Sequence, residues 1–186
     1  MFAAILRRAL PPIVVATVVI ATGYVLLRQH ERLSADDLPV QIAEDMAERM
    51  KQGVPPQSLV GGVRINPETS LAPFAIVMNE KGKVLANSFR LTNDEEPRIP
   101  AGVLQAAKRT GEHRVTWQPA PYVRLATAVV YDKTKQGSGT YIVVGHSLRE
   151  AERRVGTYGW LALAGWIAAV AGALGAAFIG EKFLRR

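Results

Sequence analysis

Aromatic and basic side chains recur between residues 113 and 146, in segments whose alternation is typical of β-strands. When such groups converge on one pocket, a guanidinium can pair with a carboxylate or phosphate while aromatic rings form an apolar wall. The candidate ligand-binding residues are Trp117, Tyr122, Arg124, Tyr131, Tyr141 and His113, joined by His146. The alternative is that the aromatic residues are sheet packing and Arg124 is a surface cation, since strands favour aromatic residues in any case.

Arg124 has small neighbours on its predicted strand. Alternation with a period of two puts one set of residues on each face: Arg124, Ala126, Ala128 and Val130 against Leu125, Thr127, Val129 and Tyr131. Because alanines leave space beside a long side chain, the pattern predicts room for a ligand next to Arg124.

The chain lacks the residue patterns of common catalytic and metal centres. It contains no Cys, which removes disulfides, thiolate nucleophiles and Cys-ligated metals. Its histidines are scattered, and no zinc H-E-x-x-H, G-x-S-x-G, P-loop or dinucleotide pattern occurs. The acidic run at residues 94–96 could attract a divalent cation, but it lacks the ligand spacing of a calcium loop, which favours a solvated loop. We therefore expect no enzyme, metal or cofactor.

Alternating strands and periodic helices would position the candidate residues. Strands are predicted at 74–78, 83–88, 113–118, 123–132 and 140–148, the first two joined by a turn. A helix is expected to begin at 34–39, where N-cap residues and a Pro occur, and to end before Gly53. Its apolar stripe, typical of a core face, is Leu38, Ile42, Met46 and Met50.

Two further helices are expected around the later strands. A short one is predicted at 99–109, with Gly111 as its C′ residue. The other should start directly from the last strand, where Ser147 and Glu150 have the spacing of a capping box. The order of elements predicts an α+β fold, a sheet with flanking helices.

Two uncharged apolar runs bound this region, at residues 9–27 and 158–180. Each is long enough to be a membrane helix, because a hydrocarbon core of about 30 Å requires about 20 apolar helical residues. A cleaved signal peptide is the alternative for the first run, but the run is longer than usual for that role and no A-x-A site ends it. Aromatic residues near the outer end of the second run favour a membrane interface.

Basic residues beyond both runs set the expected topology, because Lys and Arg in short flanks are retained on the cytoplasmic side. We expect cytoplasmic residues 1–8, a membrane helix at 9–27, an extracytoplasmic domain at 28–157, a membrane helix at 158–180 and a cytoplasmic tail at 181–186, all in the cell membrane. The outer domain holds 18 Lys or Arg against 15 Asp or Glu, so most of the net charge of +7 lies at the membrane flanks. Nucleic-acid binding is not expected.

The second run carries small residues at every fourth position: Ala164, Ala168, Gly172, Ala176 and Gly180. Small residues at this spacing let membrane helices approach closely. We expect this stripe to pack against a second copy of the chain or a membrane partner protein. The alternative is that Ala and Gly are simply frequent in this helix.

In its arrangement, the chain resembles the extracytoplasmic PAS-like, or single Cache, sensor domains of bacterial two-span receptors, including sensor histidine kinases. The resemblance covers roughly residues 33–157 and rests on the helix leaving the first run, the strand-turn-strand FAIVMNEKGKVLANS, the three later strands and YIVVGHSLREAERR. It implies a five-stranded antiparallel sheet, with a ligand between the sheet and the segment joining its second and third strands.

Such receptors continue into a cytoplasmic output region, whereas six residues follow the second run here. We therefore expect a sensor or ligand-binding module that passes its signal through the second membrane helix to a partner chain. The alternative is a membrane assembly or regulatory subunit that binds another protein through its outer domain and its Ala/Gly-rich helix.

Overall fold

A computed structural model of the 186-residue chain describes residues 2–92, 97–133 and 139–183. Its elements, in chain order, are α1 (Phe2–Lys51), α2 (Pro56–Val60), β1 (Phe74–Asn79), β2 (Val84–Asn87), α3 (Ala101–Thr110), β3 (Glu112–Ala120), β4 (Val123–Lys133), β5 (Gly139–Ser147) and α4 (Arg149–Phe183). Two compact units divide the chain: Met1–Glu31 with Glu152–Arg186, and Arg32–Ala151.

The second unit is built on one five-stranded sheet with strand order β2-β1-β5-β4-β3. Every neighbouring pair of strands is antiparallel. The predicted α+β fold, with a five-stranded antiparallel sheet and flanking helices, is confirmed. Each predicted strand lies within a residue or two of the observed one.

The turn between β1 and β2 follows from its sequence. Asn79 Oδ1 accepts hydrogen bonds from the backbone N–H groups of Lys81, at 3.0 Å, and Lys83, at 2.8 Å. Gly82 supplies the positive φ of 79° that the turn needs, and its N–H donates to Asn79 O at 2.9 Å. The predicted hairpin is therefore fixed by its own side chains.

The sheet buries both of its faces. We call the face that carries Phe74, Trp117 and Val129 the front face; it packs against Ala107 of α3 and against Phe89 and Leu91, which follow β2. The back face packs against α1, and its cluster contains Ala43, Met46, Ala47, Ala75, Val77, Ile142 and Val144. The predicted alternation along β4 is confirmed, because Leu125 and Val129 lie in the front cluster and Val130 packs on the back cluster.

The prediction that a helix begins at residues 34–39 is wrong, because α1 runs without a break from Phe2 to Lys51. The chain enters this segment already helical from the apolar run, so its N-cap residues have no helix start to cap. Pro39 lies inside the helix and is fully buried, which offsets the backbone hydrogen bond that a proline removes. The helix ends before Gly53, as predicted. The short helix α2 was not predicted.

In the first unit, α1 and α4 are each long and apolar enough to cross a membrane, by length and composition. Their most apolar windows have mean hydropathies of 2.2 and 2.0. They run antiparallel, joined by ion pairs Arg8–Glu181 at 3.2 Å and Arg154–Glu31 at 3.1 Å. Between these pairs, Trp166 Nε1 donates to Thr17 Oγ1 at 2.8 Å. In lipid such a bond would satisfy the indole N–H, while the Thr17 hydroxyl itself donates to Ile13 O at 2.7 Å.

Candidate functional site

A cavity of about 380 Å³ lies between the front face of the sheet and the start of α3. Val103 of α3 lines one side, and Val115, Trp117, Thr127 and Val129 of β3 and β4 line the other. The segment 98–100, which joins β2 to α3, completes the lining. The volume and the mainly apolar walls are typical of small-molecule sites.

Proline and glycine fix the position of the helix over this cavity. Pro100 stands immediately before α3, where its restricted φ of −57° suits the approach to a helix start. At the other end Gly111 takes a φ of 86° and donates its N–H to Ala107 O at 2.8 Å. This cap satisfies a terminal carbonyl of α3 and turns the chain directly into β3.

Thr127 is the unusual polar residue of the cavity lining. It is 2 % exposed, and its Oγ1 has no hydrogen-bond partner among the described residues. In the sheet register it stands between Val115 of β3 and Gly145 of β5. A buried hydroxyl without a partner costs about 1–3 kcal/mol.

Trp117 forms an aromatic wall of the cavity. Its ring centroid lies 5.1 Å from that of Phe89 and 6.2 Å from that of Phe74. These contacts hold the indole in place, because edge and tilted ring contacts add to the burial of apolar area. Trp117 therefore packs in the front-face cluster and also lines the cavity.

The structure does not bring the candidate ligand-binding residues into one place. Trp117 lines the cavity, and His113 lies half-buried on the same face of β3. Tyr131 and Tyr141 contact each other on the front face, with ring centroids 4.9 Å apart. Arg124 is exposed and shares the back face with His146, while Tyr122 is 99 % exposed in the β3–β4 turn at a φ of 64°.

Thr127 and Arg98 line the cavity but were not among the sequence candidates. Thr127 had a signal, because it is the one short polar residue on the predicted strand face that otherwise carries Leu125, Val129 and Tyr131. Arg98 had no such sequence signal, because the residues of a polar connecting segment do not show which side chain will lie beside the sheet.

Tyr131 belongs to a polar network at one end of the front face. Glu80 Oε1 accepts from Lys108 Nζ at 2.6 Å and from the Tyr131 hydroxyl at 3.3 Å. The Lys108 hydrogen bond lowers the pKa of Glu80, and Glu80 in turn raises the pKa of Lys108. Burial raises the pKa of Tyr131, which stays neutral. These groups satisfy one another, which favours a role in holding α3 to the β1–β2 turn.

A second set of charges lies on the back face, where α1 meets the sheet. Arg114 Nε pairs with Glu112 at 2.6 Å, and Arg114 Nη1 pairs with Asp37 at 3.4 Å. Burial raises the pKa of Asp36, an effect that Arg114 opposes. Burial lowers the pKa of His146, an effect that Asp36 opposes.

The structure places no group of three or more His, Asp or Glu side chains within reach of a common metal ion in the described part of the chain. The acidic run at 94–96 lies outside the described residues.

The small-residue stripe of α4 is largely exposed in the first unit. Ala164, Ala168, Gly172 and Ala176 are exposed, and Gly180 is half-buried near Arg8. By contrast, Ala177 is buried and Trp166 bonds to α1. The stripe thus lies beside, rather than within, the contact between the two helices.

No protein-family model, curated protein or solved structure matches the chain.

Proposed function

We propose that the protein is a membrane-anchored ligand-binding or sensing module, whose PAS-like, single Cache type outer domain binds its ligand in the cavity under α3. The observation that carries this proposal is Thr127, which lines that cavity and whose buried hydroxyl has no partner among the described residues. Folded proteins rarely leave such a group unpaired, and a ligand that bonds to it would remove the cost.

The lining indicates the chemistry of the ligand. Val103, Trp117 and Val129 suit an apolar body, while Thr127 offers a hydroxyl that can donate or accept a hydrogen bond. Arg98, the charged residue of the lining, supplies a cation for a carboxylate or phosphate. In this proposal Arg98 takes the role that the sequence suggested for Arg124.

The membrane part of the proposal rests on α1 and α4, the two helices with apolar segments of membrane length. Basic residues outside both segments favour cytoplasmic termini and an extracytoplasmic sheet domain. Arg7 and Arg8 precede the first segment, and Lys182 follows the second.

The last strand offers a route for a signal. Only Leu148 separates the end of β5 from the start of α4, and its N–H donates to Arg124 O of β4 at 2.9 Å. Arg149 donates to Glu68 O at 2.6 Å. A ligand that binds one arrangement of the sheet more tightly would shift the start of α4 with it, and α4 would pass the change to a partner chain.

Thermal unfolding of the full chain in detergent, with and without a library of small amphiphilic acids, tests the proposed site. At least one compound should raise the melting temperature of the wild type and raise that of Thr127→Val much less. The control is Thr116→Val, which alters an exposed hydroxyl on the same lining. The site is contradicted if no compound in the library stabilises the wild type. It is also contradicted if a stabilising compound raises the melting temperatures of Thr127→Val and Thr116→Val equally.

A second proposal is that the chain is a membrane assembly or regulatory subunit. The observation that favours it is the exposed stripe on α4, which the contact with α1 leaves uncovered. Replacing Gly172 and Ala176 with Leu should then abolish self-association or co-purification of a membrane partner. Leu163→Ala is the control, because Leu163 lies about two and a half turns from Gly172 and so on the opposite side of the helix. An unchanged complex would contradict this proposal.

A further inference from the structure

The cavity borders the backbone of an edge strand. The strand order leaves β3 with a single neighbour, β4. Five consecutive residues of β3, 115–119, line the cavity. Val115 and Trp117 share the front face in the regular part of β3, and Thr116 between them belongs to the other face. Because all three line the cavity, the cavity reaches the outer edge of the strand.

Along this run the outer edge of β3 has no backbone partner in the described part of the chain. Val115, Thr116 and Trp117 pair with β4, and no backbone hydrogen bond joins residues 115–119 to any other described element. Thr116 and Gln118 are exposed. An edge strand presents alternate N–H and C=O groups outward, which is a template for another extended chain.

The template is short. Pro119 has no N–H to donate, and the pairing of β3 with β4 becomes irregular between Trp117 and Ala120. Pairing with an added strand should therefore stop near Gln118. This length suits a few residues of peptide rather than a long strand of a partner protein.

We propose that the ligand is a short extended peptide that adds beside β3, places a large apolar side chain in the cavity and sets a carboxylate on Arg98. This inference rests on the proposed function and names its ligand class. Backbone hydrogen bonds to β3 would give affinity, and the pocket and the cation would give specificity. Val103, Trp117 and Val129 form the apolar wall that the side chain would contact.

The probe is a library of N-acetylated pentapeptides with Leu or Phe at the centre and Asp or Glu beside it. Binding to the full wild-type chain in detergent is measured by isothermal titration, and hits are resynthesised with N-methyl groups at each backbone nitrogen in turn. Alternate methyl groups should weaken binding at least tenfold while the intervening ones leave it nearly unchanged, because only alternate amides face the neighbouring strand.

The proposed contact between Arg98 and the carboxylate of the peptide is tested separately. Arg98→Gln should weaken an acidic peptide about tenfold, the loss expected for one charge-assisted hydrogen bond, but should leave its Gln analogue within about twofold. Arg109→Gln, an exposed arginine on α3, is the control and should change neither. Because methylation uses the wild-type chain, the main test does not depend on a variant folding.

Three results would overturn the peptide inference. Equal binding of all methylated peptides excludes strand addition, and equal loss of both peptides with Arg98→Gln excludes the carboxylate contact. Small molecules that bind in a Thr127-dependent way while no peptide competes would also overturn it, yet leave the proposed function standing. Absence of any binding would count against both.

Discussion

Thr127 and Gly145 are register partners on β4 and β5, and a Cβ added to Gly145 would lie 2.9 Å from Thr127 Oγ1. The same Cβ would lie 2.7 Å from Cζ of Phe74 and 2.9 Å from the carbonyl oxygen of Ala126. The sheet thus closes tightly around one side of the Thr127 side chain, while the cavity lies on the side of α3. Gly145 is what lets Phe74 and Thr127 occupy neighbouring positions.

Gly145→Ala should therefore destabilise the fold. The added methyl group must displace a ring, a backbone carbonyl or the hydroxyl, and overpacking of this kind costs about 1–3 kcal/mol. Chemical denaturation of the full chain measures the change. Gly62→Ala is the matched control, because a Cβ at that position has no heavy atom within 4 Å. Equal stability of the two variants would contradict the tight contact.

Thr127→Val should stabilise the empty protein and weaken ligand binding. Valine keeps the shape of the side chain and removes the unpaired hydroxyl, so unfolding should require about 1 kcal/mol more free energy. Denaturation without ligand measures the first effect, and titration with a compound from the screen measures the second. A variant that is less stable than the wild type would show that the hydroxyl has a partner in the folded chain.

Val103→Phe should fill the cavity without unfolding the domain. Val103 is half-buried and faces the space of about 380 Å³, so a larger ring can enter it with little displacement. We expect an unchanged or higher melting temperature and loss of the ligand-induced shift. Gln105→Phe, on the exposed side of α3, should retain that shift. Binding that survives in Val103→Phe would place the ligand elsewhere.

The sheet was predictable because each strand carries its own signal. Runs of apolar and β-branched residues mark β4 and β5, and Asn79 with Gly82 marks the first turn. The start of the first helix was not predictable from capping residues, because such a side chain has a capping role only if a helix actually begins at its position. Residues 34–39 have cap-forming side chains, but the apolar run before them continues the helix.

The candidate site was harder to predict than the fold. Side-chain type identified Trp117 and Arg124 as equal candidates, but strand alternation separates them by the thickness of the sheet. The actual cavity depends on how α3 and the segment before it settle over β3, which is a tertiary contact without local sequence signal. Thr127 could have been selected as a candidate from the sequence, because a buried hydroxyl on a strand face requires a hydrogen-bond partner.

Stability should fall as pH drops through the range in which unfolded histidine titrates. Burial lowers the pKa of His146 below 6.5, so the unfolded chain binds this proton more readily than the folded chain. The stability that the buried neutral imidazole of His146 contributes is fully present above pH 6.5. It is lost as pH falls toward the lower pKa of the folded state. Denaturation at several values between about pH 8 and pH 5 measures this, and His146→Gln should flatten the slope.

Asp36 should act with the opposite sign in a more acidic range. Burial raises its pKa above 3.8, so the folded chain takes up this proton first and gains stability as pH falls. Asp36→Asn should therefore change the slope in the acidic range just above 3.8, the value from which the pKa is raised. It should leave the histidine-dependent slope in place, although the loss of the carboxylate lowers the pKa of His146 further. A profile that Asp36→Asn alters only above pH 6 would contradict the assignment.

The expected membrane topology can be tested directly, because the chain contains no Cys. Single substitutions to Cys at Lys81, Lys182 and Val18 report on the outer domain, the cytoplasmic flank and the first membrane segment. In intact cells a membrane-impermeant maleimide should label Lys81→Cys, which lies in the exposed β1–β2 turn. Lys182→Cys should react only after permeabilisation, and Val18→Cys should stay unreactive in both cases because lipid excludes the reagent. Labelling of Lys182→Cys in intact cells would reverse the topology, and reaction at Val18→Cys would show that α1 does not span the membrane.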